Sequence, residues 1–316
     1  MSQFYTLEPL KFQPLSIHDR GVIQSITLAA GRRNCNFTFA NLIGWQFWFG
    51  TERCILPHTV ILRVRLFGNL SYMVCSKEPP DMQLLKLLCL DASRFGDFLT
   101  LLALEDSHAD YLKRILPVQA DINPRRNNYD YIYLRRDLEQ LAGKHLKAKR
   151  NHVNKFLQLY PQYEYRPLSP QYFNDCRQLA QLWRDETDNT DTDHQGSVNA
   201  EQQVMENIYA HWDELDMIGG SIWIDGKMVA FTYGAPVTFD TFDVCVEKAD
   251  RNVDGAFNII NQQFASRLPE QYVFINREED MGLEGLRKAK LSYHPHILLG
   301  YNTVTLPCKP IIDYNE

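Results

Sequence analysis

Residues 275–301 read INREEDMGLEGLRKAKLSYHPHILLGY, and this stretch indicates how the C-terminal part of the chain folds. The apolar run 271–275 is typical of a strand, and the change to the polar residues 276–280 is typical of a turn. The glycine-flanked segment 282–291 has the apolar spacing of a short amphipathic helix. A proline then ends the helix, so residues 296–299 predict another strand.

The predicted helix has an apolar side and a polar side. Its apolar side consists of Leu283, Leu286 and Leu291. Its polar side and the residues after it carry three cations, a hydroxyl and a phenol: Arg287, Lys288, Lys290, Ser292 and Tyr293. Such a set can hold a polyanionic ligand through charge-assisted hydrogen bonds. The alternative is an ordinary solvated helix face without a ligand.

A second basic segment lies in the middle of the chain. Residues 138–160 predict one long helix, and no acid occurs between Glu139 and Glu164. The basic residues of this window include Lys144, Lys147, Arg150 and Lys155. Like charges at helical spacing repel each other unless an anion offsets them. The segment is therefore either a phosphate-binding surface or simply a basic helix.

The remaining elements predict an α/β fold. The second half contains helices at 171–186 and 200–212, a hairpin across Asp225-Gly226, a strand at 239–246, a helix after Gly255 and a strand at 271–276. The first half repeats this order loosely, with a hairpin at 60–75, helices at 82–90 and 94–104, and a strand at 129–134. The length of 316 residues suggests two domains, which we expect at 1–160 and 161–316.

The net charge of −6 is distributed unevenly along the chain. Residues 1–160 carry 21 basic and 14 acidic residues, a net charge of +7, whereas residues 161–316 carry 12 and 25, a net charge of −13. This distribution excludes an even basic coat for non-specific nucleic-acid binding, but it allows a local basic patch.

The cysteine and histidine patterns argue against a zinc site and a disulfide framework. The seven cysteines form no C-x-x-C pair and the nine histidines show no metal-ligand spacing, so no metal is expected. Residues 1–12 lack the pattern of a signal peptide, and no apolar run approaches the length of a transmembrane helix. We expect a cytoplasmic protein with reduced thiols.

Three motifs resemble those of a bacterial family of unknown function, which is similar to the C-terminal domain of phosphatidylglycerol lysyltransferase. They are Gly143–His152, Trp223–Lys227 and Asn276–Tyr293, and Phe37–Trp45 also fits, so the resemblance covers nearly the whole chain. The run Arg-Lys-x-Lys-x-Ser-Tyr at 287–293 is its most specific part. The resemblance implies an α/β (α+β) fold with tandem GNAT-like domains, that is, domains like those of acyl-CoA-dependent N-acyltransferases.

For the characterised relatives, the resemblance also implies transfer of an aminoacyl group from tRNA. On this hypothesis Glu278 or Tyr293 acts as the general acid or base. The phosphates and the rest of the substrate would contact Lys144, Lys147, Arg150, Asn276, Arg277, Arg287, Lys288, Lys290 and Ser292. Two alternatives stay open: a CoA-dependent N-acyltransferase, and a non-enzymatic binding protein on the same scaffold. The sequence does not indicate the acceptor or the oligomeric state, and it implies no cofactor beyond aminoacyl-tRNA or acyl-CoA.

Overall fold

The chain forms two β-sheets with helices packed around them. In the computed structural model, residues 8–66, 68–187 and 195–314 are described. Within these ranges there are fourteen strands, arranged in two seven-stranded sheets, and twelve α-helices. The predicted α/β fold is confirmed, and it contains two sheets.

The first sheet is mostly antiparallel. Its strands, in spatial order, are β1 (Gln13–Pro14), β2 (Glu52–Leu56), β3 (Thr59–Leu66), β4 (Asn69–Cys75), β5 (Phe98–Glu105), β14 (Tyr301–Pro307) and β6 (Asp121–Pro124). Only β4 and β5 run parallel to each other. The hairpin of β3 and β4, in which Leu66 pairs with Asn69, was expected from the sequence.

The second sheet has the same mixture of pairings. Its strands, in spatial order, are β13 (Ile297–Leu299), β7 (Asp130–Leu134), β12 (Phe274–Asn276), β11 (Thr241–Ala249), β10 (Lys227–Pro236), β9 (Ile218–Ile224) and β8 (Glu164–Pro167). Only β11 and β12 run parallel. Asp225 and Gly226, between β9 and β10, have φ values of 49° and 77°. Positive φ at both central residues is typical of the type I′ turn that the Asp-Gly pair predicts.

Each parallel pair is joined by a helix, so each sheet contains one β-α-β unit: β4, α4 and β5 in the first, and β11, α10 and β12 in the second. The helices are α1 (Arg20–Ala30), α2 (Phe39–Gly44), α3 (Gln46–Phe49), α4 (Met82–Ala92), α5 (Asp106–Ile115), α6 (Arg135–Gln140), α7 (Lys147–Leu159), α8 (Phe173–Thr187), α9 (Gln195–Ala210), α10 (Ala256–Ala265), α11 (Glu284–Leu291) and α12 (Cys308–Ile312). None of the helices in the described residues is long and apolar enough to span a membrane.

A central apolar core joins the two sheets. Alternate residues of β3 face opposite ways, because side chains in a strand alternate. Val60 and Leu62 therefore pack in the central core with Phe231 of β10, whereas Ile61 packs in an outer core with α4 and α12. A second outer core lies between the second sheet and helices α6, α7 and α10.

The two sheets do not take their strands from separate halves of the chain. β7 precedes residue 160 but pairs with β12 and β13 in the second sheet. β14 lies near the end of the chain but pairs with β5 and β6 in the first sheet. The expected division into residues 1–160 and 161–316 would therefore separate β7 and β14 from the sheets to which they belong.

Two predicted helices are wrong. The segment 94–104 forms the strand β5 from Phe98 onward, because its apolar residues pair with β14. The single helix expected over 138–160 is interrupted between α6 and α7. Leu141 and Gly143 both have positive φ values, 48° and 81°, which an α-helix does not accommodate.

Gly255, which precedes α10, sets how closely α10 packs on α7. Its φ is +81°, and a Cβ there would lie 2.8 Å from the carbonyl oxygen of His152 and 3.0 Å from Cβ of Phe156. We expect Gly255→Ala to lower the free energy of unfolding by about 2–4 kcal/mol, because strain in the left-handed region adds to overlap with α7. Urea denaturation measures this change.

Gly226→Ala is the matched control for Gly255→Ala. Gly226 has a nearly equal φ of +77°, but a Cβ there would meet no atom within 4 Å. The control is expected to lose only about 1 kcal/mol, because it suffers the backbone strain alone. Equal losses in the two variants would show that the contact of α10 with α7 contributes nothing.

Candidate functional site

The polar turn after β12 is held against β7 rather than β11. β12 pairs with β11 only at residues 274–276. Beyond this point Arg277 N donates to Tyr131 O (3.0 Å), and Tyr131 N donates to Glu278 O (3.2 Å). The chain therefore follows β7, and β11 continues without β12 beside it.

Asn276 fixes the beginning of this turn. Its Oδ1 accepts a hydrogen bond from Glu278 N (2.7 Å), and its Nδ2 donates to Arg33 O (2.7 Å) and to Asp130 Oδ2 (2.7 Å). Glu278 has a φ of +55°, a conformation that residues other than glycine rarely adopt. The amide of Asn276 therefore joins three distant parts of the chain and supports a strained residue.

Four carboxylates, which we call the acidic chamber, meet beside this turn: Asp130 of β7, Asp243 of β11, and Glu278 and Glu279 of the turn. Asp130 and Asp243 are fully buried. Carboxylate oxygens of Asp130 and Glu279 lie within 4.8 Å of each other, and so do those of Asp243 and Glu278.

Residues just before and within α2 hold one pair of these carboxylates. Thr38 Oγ1 donates to Asp243 Oδ2 (2.6 Å), and Asn41 Nδ2 donates to Asp243 Oδ2 (3.2 Å) and Glu278 Oε1 (2.8 Å). Asp243 Oδ1 is buried and has no hydrogen-bond partner within the described residues, and the same is true of the hydroxyl of Tyr233 on β10. This side of the acidic chamber therefore retains acceptor atoms for a ligand.

The other pair of carboxylates is more fully bonded. Asp130 Oδ2 accepts hydrogen bonds from Cys35 N (2.9 Å) and from Tyr301 Oη (2.6 Å). The Cys35 thiol donates to Asp130 Oδ1 (3.2 Å) and lies 3.6 Å from Glu279 Oε2. Both oxygens of Asp130 are thus satisfied inside the protein, which indicates a structural role.

Lys290 supplies an ammonium group next to the acidic chamber. Its side chain is buried, and Nζ donates to the carbonyl oxygens of Arg277 and Glu279, both at 2.5 Å. Burial lowers the pKa of Lys290, while the charges of Glu279 and Glu278 act in the opposite direction. This lysine therefore offsets part of the negative charge rather than facing solvent.

The orientation of α11 differs from the prediction for this reason. The expected apolar residues Leu283 and Leu291 are exposed, whereas Lys290 is buried and Leu286 is half-buried. Apolar periodicity places a lysine outside by default. Here carboxylates from other parts of the chain stabilise it inside, and the helix sequence alone does not contain that information.

Burial raises the pKa of all four carboxyl groups. For Asp243 the charge of Asp130 adds to the effect of burial, and for Glu278 the charges of Asp243 and Glu279 do so. The pKa values of Asp130 and Glu279 shift in the same direction. Like charges this close disfavour full ionisation. Full ionisation of the acidic chamber is therefore unfavourable unless protons or a cationic group offset its charge.

Two sets of side chains have the spacing of metal ligands: Cys35, Asp130 and Glu279 in one, and Asp243, Cys245 and Glu278 in the other. A cysteine binds metal as the thiolate. Burial, followed by the neighbouring carboxylates, raises the pKa of both thiols. The protonated state of the thiols therefore makes this a better site for an ammonium group than for a metal ion.

A basic rim surrounds the outer end of α11. It consists of Lys144, Lys147, Lys149 and Lys288. Lys149 Nζ lies 4.4 Å from the centroid of the Tyr293 ring, and the rings of His145 and His294 are 5.1 Å apart. These contacts bring the two basic segments of the sequence together. Lys144, Lys147 and Lys288 are exposed and form no ion pair within the described part of the chain.

Other predicted phosphate-binding residues are engaged within the protein. Arg150 donates to the carbonyl oxygen of Gly143 (3.3 Å) and so closes the turn before α7. Arg287 donates to both oxygens of Asp280, at 2.8 and 2.9 Å. Ser292 Oγ donates to Ala289 O (2.6 Å) within α11. These groups position the backbone around the site.

The structure does not bring Glu278 and Tyr293 together. Glu278 faces α2, whereas Tyr293 packs in the outer core under α10. The Tyr293 hydroxyl accepts a hydrogen bond from Asn258 Nδ2 (2.6 Å), and burial raises the pKa of Tyr293 to about 12. The two residues proposed from the sequence as acid and base therefore lie on different faces of the second sheet.

Sequence reasoning missed most of the acidic chamber. Asp130, Asp243, Thr38 and Asn41 were not among the candidate residues. Asp243 interrupts the apolar strand sequence TFDVCV, and a charged residue inside a buried strand is a usable signal. The other members carry no comparable signal, because their roles arise from contacts between distant segments.

The raised pKa of Asp243 predicts how stability changes with pH. The folded protein binds the proton of Asp243 more tightly than the unfolded chain does. The contribution of this group to the free energy of unfolding is therefore lost as pH rises from about 3.9 through its folded pKa. Asp243→Asn removes that loss. We expect its free energy of unfolding, relative to the wild type, to be more favourable at pH 8 than at pH 5. Each pH unit inside the window contributes up to about 1.4 kcal/mol.

Asp280→Asn is a control with the opposite sign. Although burial opposes it, hydrogen bonds from Arg287 and Tyr131 hold the pKa of Asp280 well below its usual range. Asp280 therefore stabilises the fold above its unfolded pKa, and this contribution is lost as pH falls through the folded pKa. The variant should be destabilised by about 2 kcal/mol at pH 7. Parallel pH profiles for the two variants would contradict this account of the acidic chamber.

Comparison with known proteins agrees with the fold. A conserved protein of unknown function from Bacteroides thetaiotaomicron has a structure with a TM-score of 0.89 and 37% sequence identity, covering 94% of this chain and 99% of that one. The C-terminal domain (DUF2156) of a protein described as a lysylphosphatidylglycerol synthetase, from Agrobacterium fabrum, has a TM-score of 0.63 and 11% identity, covering 92% of each chain. No curated protein matches the sequence.

The family comparison covers most of the chain, including the second sheet and most of the first. Residues 29–302 match the C-terminal domain of phosphatidylglycerol lysyltransferase, and this range contains the acidic chamber, the basic rim and α11. The resemblance drawn from the sequence motifs is therefore confirmed. The chain belongs to the phosphatidylglycerol lysyltransferase C-terminal family and has its acyltransferase type of scaffold.

Proposed function

We propose that the protein transfers an aminoacyl group from aminoacyl-tRNA to an acceptor amine or hydroxyl. Membership of the family supports acyl transfer in general. The observation that carries the choice of donor is the pair of charged regions: the acidic chamber on one face of the second sheet, and the basic rim near Tyr293 on the other face.

The two charged regions complement the two ends of an aminoacyl-tRNA. The aminoacyl part carries an ammonium group, and the nucleotide part carries phosphates. Asp243 Oδ1 has no partner within the described residues and can accept an N–H of the ammonium group, while Glu278 lies beside it. Lysines of the basic rim can neutralise phosphates. A neutral acyl group, such as acetyl, would leave the buried carboxylates uncompensated.

The segment before α10 also favours this donor over acyl-CoA. Residues 250–255 contain one glycine, Gly255, and its backbone packs against α7. A pyrophosphate loop needs several backbone N–H groups that are open to the ligand. Activity with acyl-CoA, or ligand binding without transfer, is the outcome that would replace the proposal.

In the proposed reaction Glu278 acts as the general base. Burial raises the pKa of Glu278, which makes its carboxylate a stronger base than an exposed one. The acceptor N–H or O–H gives its proton to Glu278 while the lone pair of the acceptor nitrogen or oxygen attacks the ester carbonyl. The bond from that carbonyl to the 3′ oxygen of the nucleotide then breaks, and the oxygen takes up the proton. The donor ester is already activated, so no further cofactor is required.

The role of the basic rim is tested by the salt dependence of tRNA binding. We expect the double variant Lys144→Ala/Lys147→Ala to reduce the slope of log K against log salt by about 1.5, because two phosphate contacts are lost. Its melting temperature should not change, since both side chains are exposed and unpaired within the described residues. Lys309→Ala is the matched control, because Lys309 is an exposed lysine on α12. Equal slopes in the two variants would remove the basic rim from the site.

The role of the acidic chamber is tested by single-turnover transfer from aminoacyl-tRNA to a small amine. Glu278→Gln is expected to lower the rate by about 10²–10⁴-fold while tRNA affinity stays the same, because only the proton acceptor is lost. Asp243→Asn should instead weaken binding of the aminoacylated tRNA relative to the uncharged tRNA. Transfer from acyl-CoA at a rate unaffected by Asp243→Asn would refute the choice of donor.

A further inference from the structure

A second polar cluster lies on the opposite face of the second sheet from the acidic chamber. We call it the Arg277 pocket; its members are Lys149, Glu247, Asn258, Asn261, Arg277 and Tyr293. They come from α7, β11, α10, the segment after β12 and the end of α11, so five separate segments converge here.

Arg277 is only partly bonded in this pocket. Its Nη2 donates to Glu247 Oε1 (2.8 Å), but its buried Nη1 has no partner within the described residues. Asn261 donates to the other oxygen of Glu247 (3.3 Å), and Asn261 Oδ1 is likewise buried and unpartnered. A guanidinium is always charged and buried donors are normally bonded, so the free Nη1 marks a place for a ligand acceptor.

Lys149 adds a second cation to the pocket. Its Nζ is 4.4 Å from the centroid of the Tyr293 ring, and Cζ of Arg277 is 5.1 Å from the same centroid. Lys149 is half-buried and forms no ion pair in the part of the chain that the structure describes. Two cations therefore flank one ring with the single carboxylate of Glu247 to balance them, which leaves one unit of positive charge.

The hydroxyl of Tyr293 completes the set of donors. It accepts a hydrogen bond from Asn258 Nδ2 (2.6 Å), so its own proton remains free to donate. The pocket also lies where β12 has left β11, since the two strands pair only as far as Asp243 and Asn276.

We propose that the Arg277 pocket binds a phosphate ester through Arg277 Nη1, Lys149 Nζ and the Tyr293 hydroxyl. A guanidinium and an ammonium with one excess positive charge suit a phosphodiester monoanion. This proposal rests on the proposed function only where it names the molecule that carries the phosphate, which would be the 3′-terminal nucleotide of tRNA. The anion site itself rests on the geometry above and does not depend on that function.

The test is calorimetric titration of the full chain at low ionic strength with inorganic phosphate, adenosine 5′-monophosphate, CoA and glycerol 3-phosphate. Lys149→Ala and Tyr293→Phe should each weaken binding of the phosphate probes by about tenfold, and Lys309→Ala should leave it unchanged. Preference for adenosine 5′-monophosphate indicates a nucleotide carrier. Preference for glycerol 3-phosphate indicates a lipid headgroup, and preference for CoA indicates an acyl-CoA donor.

Stability is measured alongside binding, because Arg277 is paired with a buried carboxylate. Lys149→Ala, which breaks no ion pair in the described residues, is expected to keep the wild-type melting temperature. Equal affinity of Lys149→Ala and wild type for every probe, or no binding of any probe, would overturn the proposal. Phosphate binding that depends on Lys149 in a protein without aminoacyl transfer would sustain the pocket and reject the proposed function. Unchanged aminoacyl transfer together with unchanged phosphate affinity in Lys149→Ala would reject the Arg277 pocket and leave the proposed function standing.

Discussion

The side-chain amide of Asn276 holds the site together, because it is bonded to three segments that are far apart in sequence. It donates to the carbonyl of Arg33 and to Asp130, and it accepts from the backbone of Glu278. These bonds end the pairing of β12 with β11 and direct the chain along β7. The two parallel strands part at this residue, and the polar turn that contributes to both sites begins there. A side chain without both a donor and an acceptor would not satisfy all three bonds.

The main energetic constraint on the site is the placement of two buried and two half-buried carboxylates near one buried lysine. Removing charges from water is unfavourable unless they are paired, and Lys290 provides one positive charge for four acids. Burial raises the carboxyl pKa values, so protonation relieves part of this repulsion. A bound ammonium group relieves it in another way, since it replaces protons with a cation. The free protein is therefore destabilised locally in a manner that binding of a cationic acyl group would reverse.

The sequence predicted those elements whose information is local. The hairpin at Asp225-Gly226 depends on two residues that tolerate positive φ, and the helix from Arg20 ends at Gly31 for the same reason. The strand β5 was missed because its partner β14 comes about two hundred residues later in the chain. The acidic chamber was mostly missed because its members, such as Asp130 and Asp243, meet only after the segments that carry them have packed together. The family motifs located α11 and its cations, but they did not show that Lys290 is buried.

Neighbouring residues in the turn serve opposite faces of the second sheet. Arg277 extends toward Tyr293 and the outer core, whereas Glu278 extends toward Asn41 and the central core. β12 leaves β11 at this turn because the turn bonds to β7, a strand that comes from the first half of the chain. Residues 161–316 alone lack β7, so the interleaving of the two sheets positions Arg277 and Glu278 as well as completing the fold.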